Sequence, residues 1–203
     1  LYSEQLLGEL DIALCRSWDE VAQNLDTGNL AFMPLGDWMP ALQRMIDLRN
    51  VLGLRSPIHS LARILNPLAA RCGLQSIFHP GYQAVHREAS QLLGDHAIVV
   101  KGDGGEIELN PDAVCHLYGT ERGENWDEDW PMLSERRHVK PERLDPTHLQ
   151  AVWRGEAEDA YGQLAIIATM ALALRGLGLQ REAAFAEAEK RWQARHLSSQ
   201  PIR

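Results

Sequence analysis

The sequence predicts an α/β protein whose mostly parallel sheet is flanked by helices, on three observations. Stretches with helical spacing alternate with short apolar runs, the order that pairs parallel strands through helical crossovers. Residues 97–101 (AIVVK) are a continuous β-branched run, as in strands buried on both faces. The chain has 203 residues, 45% of them hydrophobic and 24% charged, enough for a substantial core. Connections between the elements are too short for two independent domains, so the whole chain is read as part of one.

Each element has its own warrant. Residues 2–27 read as mostly helical, with Leu6, Leu7, Leu10, Ala13 and Leu14 at helical spacing and Ser17 capping a second short helix. Residues 29–34 (NLAFMP), between Gly28 and Gly36, fit a buried strand. Leu42, Met45, Ile46 and Leu48 return to helical spacing over 40–51, and Gly53 ends that helix. Ser56-Pro57 restarts one that runs to about residue 65, before Pro67. A strand over 75–79 precedes a Pro-Gly turn and a helix over 82–93. After the strand at 97–101 comes a Gly-rich turn, then a short strand at 106–109. Residues 121–135 hold six acids, one Arg, two Trp and a Pro, and read as an exposed loop. From Asp145 the chain is helical, with an apolar, small-residue helix at 160–174 and an amphipathic one at 180–196.

Composition excludes several function classes. Lys and Arg total 20 against 28 acids, a net charge of −8, which argues against a general polyanion binder while allowing a local basic patch. The longest apolar run, residues 164–174, is about half of a membrane span. The chain opens at Leu1 with no signal-like head, so it is read as cytoplasmic and as starting inside a longer protein or after processing. Three widely spaced cysteines, with no C-x-x-C pair, point to reduced thiols. The eight histidines show no zinc spacing, and no nucleophile motif is present.

Residues 44–71 stand out, with Arg44, Arg49, Arg55, Arg63 and Arg71 against one acid, Asp47. Guanidinium groups bind phosphate or carboxylate bidentately, so the cluster reads either as an anion site or as surface arginines balanced by the chain's own acids. His59 lies in the same stretch, lining a cleft or serving as an ordinary core or surface histidine. Lys101 reads as an anion contact at a strand end or as a solvent-facing lysine. The GDGG turn that follows is either structural or part of a metal or ligand site.

Residues 32–68 carry Arg49, then Leu52-Gly53-Leu54-Arg55, then Leu65-Asn66-Pro67; VVKGDGGEIE follows some 45 residues after Arg55. These marks, with the R-G-E-A-E-D-A run before the small-residue helix, resemble the anthranilate phosphoribosyltransferase family. The resemblance implies the second half of a phosphoribosyltransferase-type, nucleoside phosphorylase-like domain, without its helical N-terminal domain and first phosphate-binding segment. The family's G-T-G-G-D and K-H-G-N strings occur nowhere in the chain.

Further departures point to a divergent, glycosyltransferase-labelled branch of the family. The resemblance puts Glu106 at the first metal-binding acid but Ile107 at the second; Glu108 shares a strand face with Glu106 and can complete a broken pair for Mg²⁺. Met39, beside Trp38, stands where the family commonly has a pocket histidine. For this branch the resemblance implies a protein lacking the anthranilate-specific site that binds a phosphate-bearing ligand, nucleic acid foremost, in a basic cleft of Arg44, Arg49, Arg55, Arg63 and Lys101. The alternative it implies is an active glycosyl or phosphoribosyl transferase using Mg-phosphoribosyl pyrophosphate with an unidentified acceptor. It also implies a homodimer for the full-length protein.

Overall fold

The computed structural model describes residues 6–10, 12–102, 107–135, 138 and 145–195. In chain order the elements are α1 (Trp18–Gly28), α2 (Leu35–Trp38), α3 (Pro40–Asp47), α4 (Arg49–Leu52), α5 (Ile58–Leu61), β1 (Gly73–Ile77), α6 (Gln83–Leu93), β2 (Ala97–Lys101), β3 (Cys115–Glu121), β4 (Glu124–Trp130), α7 (Pro146–Arg154), α8 (Ala160–Gly176) and α9 (Arg181–Ala194). They fall into two compact units. One comprises stretches 1–59, 140–158 and 194–203; the other comprises 60–139 and 159–193.

In the first unit two helices, α1 and α7, start at a side-chain cap. Ser17 Oγ accepts the Glu20 N–H at 3.3 Å to open α1, and Asn29 closes it in the left-handed region at φ 55°. The strand expected at 29–34 reduces to one parallel bridge between Leu14 and Phe32, with the Cys15 N–H on the Phe32 carbonyl at 2.7 Å. Pro34, which has no N–H, closes that stretch. The helix expected over 40–51 divides at Leu48 into α3 and α4, and Gly53, at φ 69°, ends it as expected. Asp145 caps α7 through the Thr147 N–H at 2.9 Å, and Arg195 donates to the Val152 and Trp153 carbonyls at its other end, each at 3.3 Å.

The second unit holds the sheet, in the order β1-β2-β3-β4. The α/β class holds, but the sheet is mixed, with parallel pairing confined to β1–β2. The stretch expected to be an exposed acidic loop is the cause. Arg122 and Gly123, both at positive φ (52° and 81°), form a two-residue turn that folds Cys115–Trp130 into an antiparallel hairpin. The β2 run is buried on both faces, as its composition predicts, with Ile98, Val99 and Val100 fully enclosed. Residues 107–109 adopt no regular strand. The helix expected over 56–65 shrinks to α5, because the Arg63 and Ile64 N–H groups bond carbonyls three residues back, those of Ser60 and Leu61.

One face of the sheet carries α6 through a buried polar chain. Gln75 Nε2 donates to Ser90 Oγ at 2.8 Å, and His86 Nδ1 donates to Gln75 Oε1 at 3.0 Å. The opposite face packs α8, where a Cβ on Gly176 would collide with Cys72, and α9 buries Ala184, Ala188 and Trp192 along one stripe. No helix among the described residues is long and apolar enough to cross a membrane.

Burial first, then the charge of Arg63, holds His86 below the ordinary histidine range. A histidine depressed in the folded state lends stability above its unfolded value, about 6.5, that is lost as pH falls. Urea midpoints should therefore drop between pH 7.5 and pH 5, and His86→Asn should flatten that drop; an equal drop in both chains would exclude His86 as its source.

Candidate functional site

The candidate residues divide between the units, so each set is described within its own. In the first unit Arg44 lies on α3, Arg49 opens α4, and Arg55 follows the Gly53 turn. All three are exposed, and none has a carboxylate partner among the described residues. The nearby acid is already engaged, since Asp47 Oδ1 accepts Gln43 Nε2 at 2.8 Å. By contrast Arg16, Arg87, Arg175, Arg181 and Arg191 each meet an acid. Val51, Leu52 and Leu54 are also exposed along this strap, Val51 by 81%. His59 turns back on the chain, its Nδ1 accepting the Ser56 N–H at 3.2 Å. Trp38, next to Met39, packs edge to face against Trp18 with ring centroids 5.6 Å apart.

In the second unit Arg63 is half-buried and donates to the Ser76 carbonyl, which commits part of its guanidinium to holding β1. Arg71 is exposed without an ion pair among the described residues, and so is Lys101 at the end of β2. Glu108 is exposed, with Oε1 accepting the Tyr161 hydroxyl at 3.4 Å. Glu106 and the rest of the GDGG turn lie outside the described residues. Among the described residues no three His, Cys, Asp or Glu side chains converge as a metal centre. Burial, reinforced by Glu121 and Asp129 respectively, pushes the Cys72 and Cys115 thiols up to about 11, so neither is poised as a nucleophile.

A second set of groups lies on the hairpin, whose second strand falls in the 121–135 stretch that the sequence reads as a loop. Lys101 and His116 line the same small cavity, and β4 sets Asp129 beside His116. His116 Nδ1 donates to Asp129 Oδ1 at 2.5 Å. Gln83, the first residue of α6, is 3% exposed, and its Nε2 has no hydrogen-bond partner among the described residues. The alternation of Cys115–Glu121 held the signal for His116; nothing in the sequence marked Gln83.

The mixed sheet with its flanking helices defines an α/β protein consistent with part of a phosphoribosyltransferase-type domain. Sequence comparison points the same way: the chain is similar to anthranilate phosphoribosyltransferases. The anthranilate phosphoribosyltransferase of Polynucleobacter necessarius is 33% identical over 109 residues, covering 53% of this chain and 32% of that enzyme. The enzyme of Paracidovorax citrulli is 31% identical over 156 residues, covering 72% of this chain and 45% of the enzyme. An uncharacterized protein of Escherichia coli, YbiB, is 32% identical over 89 residues, 43% of this chain and 28% of that protein. The chain thus spans less than half the length of these relatives. No family model matches it.

Proposed function

We propose that this chain binds a phosphate-bearing ligand, nucleic acid foremost, through the arginine strap of Arg44, Arg49 and Arg55. One observation carries the reading: these three exposed guanidinium groups, within twelve residues of sequence, hold no carboxylate partner among the described residues of a chain with a net charge of −8. In an acidic protein a cation left unpaired in this way is available to an external anion, and guanidinium favours phosphate. Exposed Val51, Leu52 and Leu54 add apolar surface for nucleobase faces. The three free thiols support a cytoplasmic setting.

The test is a fluorescence-anisotropy titration of a labelled single-stranded oligonucleotide at several salt concentrations. Replacing Arg44, Arg49 and Arg55 together by Ala should weaken binding and flatten the log–log salt slope by about 2, at roughly 0.7 per phosphate contact. Equal affinity and slope in both chains would overturn the reading. The transferase reading draws support from the similarity to anthranilate phosphoribosyltransferases. It predicts that Mg-phosphoribosyl pyrophosphate binds the full-length protein and that Glu106→Gln abolishes that binding; a full-length protein that ignores this donor would dismiss it.

A further inference from the structure

Lys101, at the carboxyl end of β2, is exposed and has no ion pair among the described residues. The connection from β1 to α6, residues 78–82, starts and finishes beside it. Its first residue follows Ile77, the β1 neighbour of Lys101 in the parallel register. Its last precedes Gln83, which lines the same small cavity as Lys101. Phe78, His79 and Tyr82 put three rings on this short connection, and all three are exposed, Phe78 by 46% and Tyr82 by 54%. The rings meet one another. His79 packs edge to face on Phe78 with centroids 5.0 Å apart, and its ring lies 6.4 Å from that of Tyr82. Such mutual contact holds the rings before a ligand arrives and lowers the ordering cost of binding.

We infer that this aromatic ledge stacks unpaired bases of a single-stranded nucleic acid while Lys101 takes a phosphate beside them. The ledge is a contact in the second unit, additional to the arginine strap, and it rests on the nucleic-acid reading of the chain. Two features select the ligand. Exposed aromatic rings hold either cations or other flat rings, and the neighbouring ammonium repels a cationic ligand. What remains is a flat ring accompanied by negative charge, and every nucleobase on its phosphate backbone supplies both. Phe78 and Tyr82, each against His79, offer more than one platform, which suits successive bases of a strand. A duplex hides the faces of its bases, so the ledge favours single strands.

The parent and the Phe78→Ala/Tyr82→Ala variant are titrated with labelled oligothymidylate, an abasic strand of equal length and a duplex. The variant should weaken oligothymidylate about tenfold, keep its salt slope, and bind the abasic strand and the duplex like the parent, because stacking engages bases and not phosphates. Phe78→Trp with Tyr82→Phe keeps both rings and should retain parental affinity. Lys101→Met should lower the salt slope by about 0.7 on single strands with or without bases. Photocrosslinking of an iodouridine-containing strand to the parent should place the adduct within residues 78–82, a readout independent of how any variant folds. The inference is overturned if the alanine variant binds oligothymidylate like the parent, if it loses the abasic strand or the duplex equally, or if the adduct lies elsewhere. An unchanged alanine variant beside a weakened Arg44, Arg49 and Arg55 variant would remove the ledge and leave the strap standing; if neither weakens binding, both readings fall.

Discussion

Gly119→Ala should destabilise the second unit by about 3 kcal/mol, an unusually large effect for the addition of one methyl group. Gly119 lies in the middle of β3, opposite Trp126 of β4, and the Trp126 indole lies across its backbone so closely that a Cβ would fall inside the ring. The ring is also held from its far side, since the Arg175 guanidinium of α8 sits 4.4 Å from the Trp126 centroid. Relief of the clash therefore displaces the indole, gives up the cation–π contact, and disturbs the Arg175 Nε–Glu128 Oε2 ion pair at 2.9 Å. For a chain of this length that loss should lower the melting temperature by roughly 6–12 °C, and Gly119→Val should lower it further. Pairing Gly119→Ala with Trp126→Ala supplies the check. The double variant should recover much of the loss, because the glycine is required by the ring; additive losses would contradict this account.

The parts of the fold that sequence pattern revealed are those where one physical signal dominates. The unbroken β-branched run of β2 is buried on both faces, the apolar stretch of α8 is buried or half-buried from 161 to 176, and both occupy nearly the residues expected. The amphipathic pattern expected at 180–196 corresponds to α9, which buries Ala184, Ala188 and Trp192. The hairpin was illegible for a definite reason. Its outward acids, Asp127 and Asp129, meet Arg87 and His116, and the inward Glu128 meets Arg175, so half of the six acids in that run are paired. Alternation was present, but acids occupied both faces and hid it. Missing that hairpin is also what made the sheet look mostly parallel.

The site was legible in its cations and not in its environment. Sequence located Arg44, Arg49 and Arg55, and left open whether the chain's own carboxylates neutralise them. Only coordinates show Asp47 engaged by Gln43 and the three guanidinium groups unpaired among the described residues. For Arg63 the same question has the opposite answer, because its donation to the Ser76 carbonyl is a backbone contact that no residue pattern announces. The buried amide of Gln83 depends likewise on how α6 begins against the ends of β2 and β3, a tertiary relation with no local spacing.

Trp130→Ala should cost about 3–5 kcal/mol, the range for deleting a buried tryptophan side chain, and Trp130→Phe should cost clearly less. Trp130 ends β4 fully enclosed, with its ring 4.9 Å from that of Phe185 on α9. Its indole N–H donates at 2.8 Å to Glu128 Oε1, while the other oxygen of that carboxylate holds Arg175 on α8. One indole therefore contributes apolar contact with α9 and half of the hydrogen bonding of an acid that ties the hairpin to α8. Phenylalanine keeps most of the contact and none of the donation, so the gap between the two variants isolates apolar packing from the N–H bond. A denaturation series on the parent, Trp130→Phe and Trp130→Ala should place the phenylalanine chain nearer the parent. If instead both variants fall equally, the Glu128 hydrogen bond would outweigh the packing, and the hairpin would be held chiefly by its polar clamp.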